Sequence, residues 1–445
     1  MSTGQPQDQS FTNSLYAWYV VFVLTLAYTC SFIDRQILSL LIEPIRRDLQ
    51  INDTGIALLG GLAFSILYTT LGMPLARWAD RANRRNLMMM GVGVWSAMTA
   101  ACGLARGFWP LFGARVGVGV GEAALSPAAF SLMADYFSPQ NLARAAGAYS
   151  TGVYFGAGLA LLIGGGVIQM VAHAPIQVLP FIGEVYAWQL TFFVVGALGI
   201  PVLFLMATIR EPLRRGVTST RLTSGTGALK LFFKLHSRTL TCIIGSGTLF
   251  GIAVGSYFVW VPSMMIRTHG WDAPRAGFTI GAIMLLFGTA GVFSGGWVAN
   301  KLAQKGHSDA ILRAALYGIA IGAVFIIATP LINDETWATI FLAISIFFLA
   351  FPQALPSAAL QVMTPNPLRA QTTAIYFFIG NLIANGFGPM VPALMNDYLF
   401  HDPMALRYSL AITVTIALPL AVFLLCFGLK PYRETIERVS VLTAG

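Results

Sequence analysis

Gly72-Met-Pro-Leu-Ala76-Arg77-Trp-Ala-Asp80-Arg81-Ala-Asn83-Arg84-Arg85 places four arginines and one acid in fourteen residues, and both flanks are apolar. The run before it, near Gly55 to Ala76, and the run after it, near Leu87 to Ala105, are each about long enough to cross a bilayer as a helix, which takes roughly 20 residues. A tight basic turn between two such runs is a membrane-surface loop. The basic residues place that loop on the inner side, because short inner loops collect Lys and Arg.

Extending the same reading in both directions fills the chain with apolar runs. Hydrophobic residues make up 56% of the 445, charged residues only 10%, and the mean hydropathy is +0.71. An ordinary soluble domain has about 25% charged residues. The runs predict helices near Ala17 to Leu41, Gly55 to Ala76, Leu87 to Ala105, Trp109 to Met133, Ala145 to Val171 and Trp188 to Thr208. Six more follow near Thr241 to Met265, Ala276 to Val298, Ala314 to Ile332, Trp337 to Leu360, Thr372 to Leu394 and Ala405 to Phe427. The expected fold is therefore an all-α membrane protein of twelve transmembrane helices in two pseudo-symmetric six-helix bundles. Residues 1–209 form the first bundle, 210–238 a polar linker on the cytoplasmic side, and 239–445 the second bundle with its tail.

Charge placement sets the expected topology. The net charge is +9, but the basic residues lie scattered in short loops, which excludes a nucleic-acid stripe. Arg77, Arg81, Arg84, Arg85, Arg144, the linker cluster, Lys301, Lys305, Arg313, Arg369, Lys430, Arg433 and Arg438 fall on one side, against Arg46, Arg47, Arg106, Arg267, Arg275 and Arg407 on the other. Both termini are thus expected to be cytoplasmic, in a bacterial inner membrane. The first 16 residues hold no Lys or Arg and the next apolar run is too long for a signal-peptide core, so the N-terminus is expected to be retained. The four cysteines sit in apolar runs and read as packing residues; the five histidines sit in expected loops, which leaves no intramembrane metal site.

The two bundles echo each other. Pro127-Ala-Ala-Phe followed by Arg144-Ala-Ala-Gly-Ala-Tyr149 matches Pro356-Ser-Ala-Ala followed by Arg369-Ala-Gln-Thr-Thr-Ala-Ile-Tyr376. Likewise Ala76-Arg-Trp-Ala-Asp80-Arg81 matches Gly296-Trp-Val-Ala-Asn300-Lys301, each at an offset of about 220 to 230 residues.

The Gly72 to Arg85 loop resembles the signature loop of the major facilitator superfamily, Gly-x-x-x-Asp-Arg-x-Gly-Arg-Arg or Lys, with Ala76 and Asn83 at two glycine positions. Asn tolerates a left-handed turn, so Asn83 is expected to keep the bend. The resemblance implies a cytoplasmic gate in which Asp80 docks on a helix N-terminus of the other half, among Arg81, Arg84, Arg85, Arg144, Asn300, Lys301 and Arg369. The plainer alternative is a set of arginines that simply anchors the inner face. The Asp-Arg-x-Asn-Arg form, Trp95-Ser-Ala-Met-Thr99 and Arg115-Val-Gly-Val-Gly-Val-Gly-Glu122-Ala narrow the resemblance to the spinster branch.

Charges inside helices carry the chemistry. Asp34 and Arg35 lie within the first helix and Arg115 and Glu122 within the fourth, where each costs roughly 2.5–3.5 kcal/mol on insertion scales. Arg115 and Glu122, seven apart, share a helix face, and Gly113, Gly117, Gly119 and Gly121 beside them are expected to allow close contact with the first helix. Such a cluster either cements two helices or works as a proton switch, with Glu122 or Asp34 taking a proton and releasing its arginine. The spinster resemblance implies the switch. Protons would then be the coupling ion, with no cofactor and no metal. Glycines 152, 156, 158 and 164–166 in the fifth helix either soften it or serve ordinary packing.

The second half offers polar and aromatic groups instead. Tyr257, Gln353, Phe377, Asn381 and Asn385, with Tyr154 of the fifth helix, are the substrate-cavity candidates. The function expected is a proton-coupled secondary transporter working by alternating access on an amphiphilic, lysolipid-like or sphingolipid-like small molecule, as a monomer in the lipid bilayer. A facilitator for a sugar, organic anion or drug is the alternative, and a channel or receptor the alternative from another class. An enzyme is not expected, because no helix holds a nucleophile-base pair or a metal-ligand set.

Overall fold

A computed structural model describes residues 15–79, 81–170, 176–179, 183–212, 214 and 226–444. Asp80 and the linker arginines Arg215 and Arg221 lie outside the described residues, as does His173. Among the described residues, the chain crosses the molecule twelve times. The first half contributes Leu15–Leu40, then Asp53–Ala57 continued through a π-helical turn Leu58–Leu62 into Ala63–Ala79, then Arg84–Cys102. Its fourth crossing is Phe108–Glu122 with Leu125–Tyr136, its fifth Pro139–Ser150 with Gly152–Met170, and its sixth Ala187–Ala197 with Gly199–Ala207. The second half contributes Ser237–His269, Ala273–Ile283 continued through Met284–Gly288 into Thr289–Gln304, and Ala310–Ala328. Glu335–Ala350 with Leu355–Met363 is its fourth crossing, Asn366–Ile379 continued through π-helical Gly380–Phe387 to Phe400 its fifth, and Leu406–Ala444 its sixth.

Among the described residues, eleven helical stretches are long and apolar enough to span a membrane. The third crossing, Arg84–Cys102, is the one left out. Arg84, Arg85 and Asn86 fill its first turn and Ser96 and Thr99 are buried in its body, so its polar side is hidden among neighbouring helices rather than in lipid. Asn83 precedes it with extended backbone, and its side chain accepts from the Asn86 N–H at 3.0 Å. The asparagine at a family glycine position is therefore a helix cap; the expected left-handed bend is not there.

The internal repeat extends to backbone irregularities. The π-helical turns Leu58–Leu62 and Met284–Gly288 occupy matching places in the second and eighth helices, 226 residues apart by their numbering. Two elements go beyond the helices that the apolar runs predict: a hairpin pairing Ile176–Leu179 with Gly183–Tyr186, and a helix Thr226–Leu235 inside the linker that buries Phe232. Cys426 is exposed on the twelfth helix, so only Cys30, Cys102 and Cys242 serve packing.

We call the end of the bundle carrying the linker and the C-terminus the terminal face, and the opposite end the far face. The two apolar cores are distributed unequally between them. One, built from Ala17 to Cys30, Leu87, Met88, Leu132, Met133 and Met206, belongs to the first half alone and lies toward the terminal face. The other joins Ile33 to Ile45, Ile56 to Leu59 and Ala157 to Leu161 with Tyr257, Trp260, Ile280 and Met284 of the second half. The halves are thus fused toward the far face and separate toward the terminal face.

Glycines make that fusion possible. A Cβ on Gly61 would sit 2.6 Å from the Gly386 carbonyl oxygen, and one on Gly281 2.8 Å from that of Gly158. These backbone-to-backbone contacts join the second helix to the eleventh and the fifth to the eighth, the two pseudo-symmetric seams. Gly61→Ala and Gly281→Ala are each expected to disfavour the far-face-closed arrangement by about 1–3 kcal/mol, the usual cost of overpacking. Spin labels at exposed Trp109 and Met404 would report a longer distance population; an unchanged distribution in both variants would remove the glycines from this role.

Candidate functional site

The buried charges of the first half do assemble. Arg35 Nε donates to Glu122 Oε2 at 2.5 Å, and Ser31 Oγ donates to the same oxygen at 2.6 Å. Ser31 and Arg35 are four apart on the first helix, so both reach the fourth helix from one face. The guanidinium lies 4.3 to 4.8 Å from the ring centroids of Phe32, Phe64 and Tyr68, an aromatic enclosure that favours a cation. Beneath it, Tyr28 stacks on Tyr149 at 4.4 Å, and the Tyr149 hydroxyl shares a hydrogen bond with Ser126.

The four charges are not equivalent. Glu122 has no exposed side-chain surface, whereas Arg35 keeps 17%, so Arg35 is the member of the pair that a solute can reach. Glu122 Oε1 is buried without a hydrogen-bond partner among the described residues. Arg115 Nη1 donates to the Asp34 carbonyl oxygen at 3.0 Å, and its Nε has no hydrogen-bond partner among the described residues. Asp34 is buried in the same layer. The contact expected between the first and fourth helices is thus made by long side chains. The fourth-helix glycines pack elsewhere: Gly119 against the Phe64 backbone of the second helix, Gly117 and Gly121 against Met98 and Trp95 of the third. Gly113 has open space. The reason is volume, since the first helix presents Phe32 and Arg35 here.

The fifth-helix glycines serve packing. Gly152 and Gly156 lie against Thr25, Thr29 and Phe32 of the first helix, and Gly158 against Gly281 of the eighth.

The cavity candidates separate. Tyr257 is fully buried in the second half, with its hydroxyl donating to the Ile326 carbonyl, and is a core residue rather than a cavity residue. Tyr154 is buried at the seam against Gly288 and Phe258, with a hydroxyl that has no hydrogen-bond partner among the described residues. Asn385 donates to Asn381 Oδ1 and Asn381 to the Phe377 carbonyl, both at 3.0 Å, so the three form one polar string through a π-helical turn. Phe377 is half exposed, and Gln353 is exposed at the break in the tenth helix.

Among the described residues, Arg84 and Arg85 bond within the first half and the linker. Arg84 is buried and donates to Asp135 Oδ2 at 2.5 Å and Glu211 Oε1 at 2.6 Å; the Arg85 backbone N–H also donates to Glu211. Asp135 belongs to the first half and Glu211 to the start of the linker, so in this arrangement Arg84 and Arg85 brace the third helix against the fourth and the linker. Lys301 lies 4.7 Å from the Trp297 ring of its own helix, and Arg81, Arg144, Asn300 and Arg369 are exposed.

Ion pairs between the halves lie at the far face, on residues that charge counting assigned to loops. Arg267, at the end of the seventh helix, donates to Glu43 at 2.8 Å and to both oxygens of Asp53 at 2.7 and 2.8 Å. Asn396 donates to Asp53 at 2.9 Å, and Asp397 accepts from the Thr54 N–H and hydroxyl at 2.7 and 2.6 Å. Asp53 is fully buried, accepts from Arg267 and Asn396, and lies 3.3 Å from Arg46 Nε. Each of these residues is unremarkable by itself in sequence, since the signal is a pairing over more than 200 positions.

The geometry is therefore two halves fused at the far face and divided at the terminal face, with a buried ion pair midway along the first. The solved structure of a bacterial homologue to the human lysosomal transporter spinster, in an inward-facing and unoccupied conformation, superposes with a TM-score of 0.75 at 26% identity, covering 96% of this chain and 98% of that one. An efflux pump of the major facilitator type from Mycolicibacterium smegmatis is 27% identical over 94% of this chain and 93% of its own. A protein described as a probable L-galactonate transporter from Escherichia coli is 23% identical over 89% of this chain and 87% of its own. The Major Facilitator Superfamily model matches residues 24–389, most of the chain, and the protein belongs to that superfamily of transporters.

Proposed function

We propose that the protein is a proton-coupled carrier of an amphiphilic organic anion, with Glu122 as the proton acceptor and Arg35 as the group that receives the anion. The observation that carries this is the buried Arg35–Glu122 pair, in which only the arginine is reachable. Protonation of Glu122 cancels its hold on Arg35, and the freed guanidinium, already seated among aromatic rings, pairs with the carboxylate or phosphate of the solute. Two unpaired charges are never left together in a dry site, which is what couples proton to anion. Phe377 and the Asn381–Asn385 string offer the other half's contribution, apolar surface for a tail beside amide groups. The terminal face is taken as cytoplasmic, in a bacterial inner membrane, and the working unit as a monomer. A second reading, a carrier for sugar acids with little apolar character, rests on the likeness to the galactonate transporter.

The test is uptake into liposomes under an imposed pH gradient, with lysolipids, sugar acids and cationic drugs as candidate solutes. Glu122→Gln is expected to reduce gradient-driven transport by about ten-fold or more while leaving solute exchange measurable. Uptake indifferent to both the gradient and the substitution would sink the coupling; uptake of a sugar acid and of no lysolipid would favour the second reading.

A further inference from the structure

Away from the seam, the ninth and twelfth helices leave a groove of about 270 Å³ at the far face, lined by Leu331, Tyr408, Ala411, Ile412, Thr415 and Ile416. The five twelfth-helix positions fall on one helical face, and they run about 12 Å along the axis at 1.5 Å per residue. Tyr408, Ile412, Ile416 and Leu331 are exposed there. Both helices pack chiefly on members of their own half, so the groove opens toward lipid rather than toward the transport path.

Arg407 stands at its rim. Its Nη2 donates to the Leu331 carbonyl at 2.8 Å and to Asn333 Oδ1 at 2.9 Å, its guanidinium lies 5.3 Å from the Tyr408 ring, and its Nε is buried without a hydrogen-bond partner among the described residues. Other far-face arginines, Arg46, Arg47, Arg267 and Arg275, are paired with carboxylates. Arg407 has only neutral acceptors among the described residues. A guanidinium fixed by neutral groups, above an apolar slot and beside a tyrosine at headgroup depth, is complementary to a phosphate carrying an acyl chain.

We propose that this groove holds one glycerophospholipid, with its phosphodiester on Arg407 and an acyl chain along Ile412 and Ile416. The lipid anchors the second half to its leaflet and is not the transported solute.

Delipidated protein in maltoside detergent is titrated with dioleoylphosphatidylglycerol, and bound lipid is counted by native mass spectrometry. Dioleoylglycerol, which lacks the phosphate, serves as the second probe. Wild type is expected to hold one phospholipid tightly and the diacylglycerol at least about ten-fold more weakly. Arg407→Gln should equalise the two lipids, Ile412→Trp should weaken both by filling the slot, and Ile321→Trp, on exposed surface outside the groove, should change neither. Equal binding of the two lipids by wild type, or undiminished phospholipid binding in Arg407→Gln, overturns the proposal. So does a shift of Ile412→Trp from dimer to monomer, which would make the occupant a second copy of the chain.

Discussion

Arg267→Ala opens the far face. The substitution removes both hydrogen bonds that Asp53 receives from Arg267 and the one that Glu43 receives, while Asp53 stays fully buried with Asn396 and with Arg46 Nε at 3.3 Å. Removing one partner of a buried ion pair typically costs about 3–5 kcal/mol, because the remaining charge is left in a dry site. The far-face-open arrangement relieves that cost by letting water reach Asp53, so the equilibrium should move toward it by roughly two to three and a half powers of ten. Labels at Trp109 and Met404 would show the longer distance as the main population. Arg267→Lys, which keeps the charge but loses the paired geometry toward Asp53, should fall between the two. If Arg267→Ala leaves the distances as in wild type, the lock lies elsewhere, and the glycine seams alone hold the face shut.

Arg84→Ala is expected to act on stability and not on gating. Arg84 is almost wholly buried, and besides Asp135 and Glu211 it donates to the Ser131 carbonyl and hydroxyl at 3.1 Å. Its loss should cost about 3–5 kcal/mol, visible as a marked fall in the melting temperature of the purified protein. Because every one of those partners belongs to the first half or the start of the linker, the far-face distances should stay unchanged. A variant that melts like wild type but shifts those distances would restore Arg84 to the gate. Arg84→Lys keeps the charge but cannot reach both acids in the same fork geometry, and should recover only part of the loss.

The split between these two arginines marks where sequence reading works and where it stops. Arg84 stands in a dense basic loop, and that density makes the loop's position at a membrane face legible. Its partners are not: Asp135 and Glu211 lie 51 and 127 residues away, at distances that no periodicity reports. Arg267 carried no local signal at all, standing as one isolated basic residue in an expected loop. The seventh helix in fact runs on to His269 and carries Arg267 into the bundle. Glu122 and Arg35 were found because a charge within an apolar run is costly wherever it points. Tyr257 is a core residue for the complementary reason. A hydroxyl in an apolar run satisfies itself on a neighbouring carbonyl at small cost, so its presence does not imply a cavity.

What the sequence determined by itself was the number of crossings, the doubled architecture, the basic face and the need for a buried charge cluster in the first half. Each follows from a local rule: a length of apolar chain, a repeat at fixed offset, the price of a charge in hydrocarbon. Tertiary structure alone decided which charges pair, which face of the bundle is shut, and that Asn83 is a cap where the family loop has glycine. Those outcomes depend on where two helices cross to within an ångström. The crossings are set by glycines such as Gly61 and Gly281, which meet backbone from the other half more than 120 residues away.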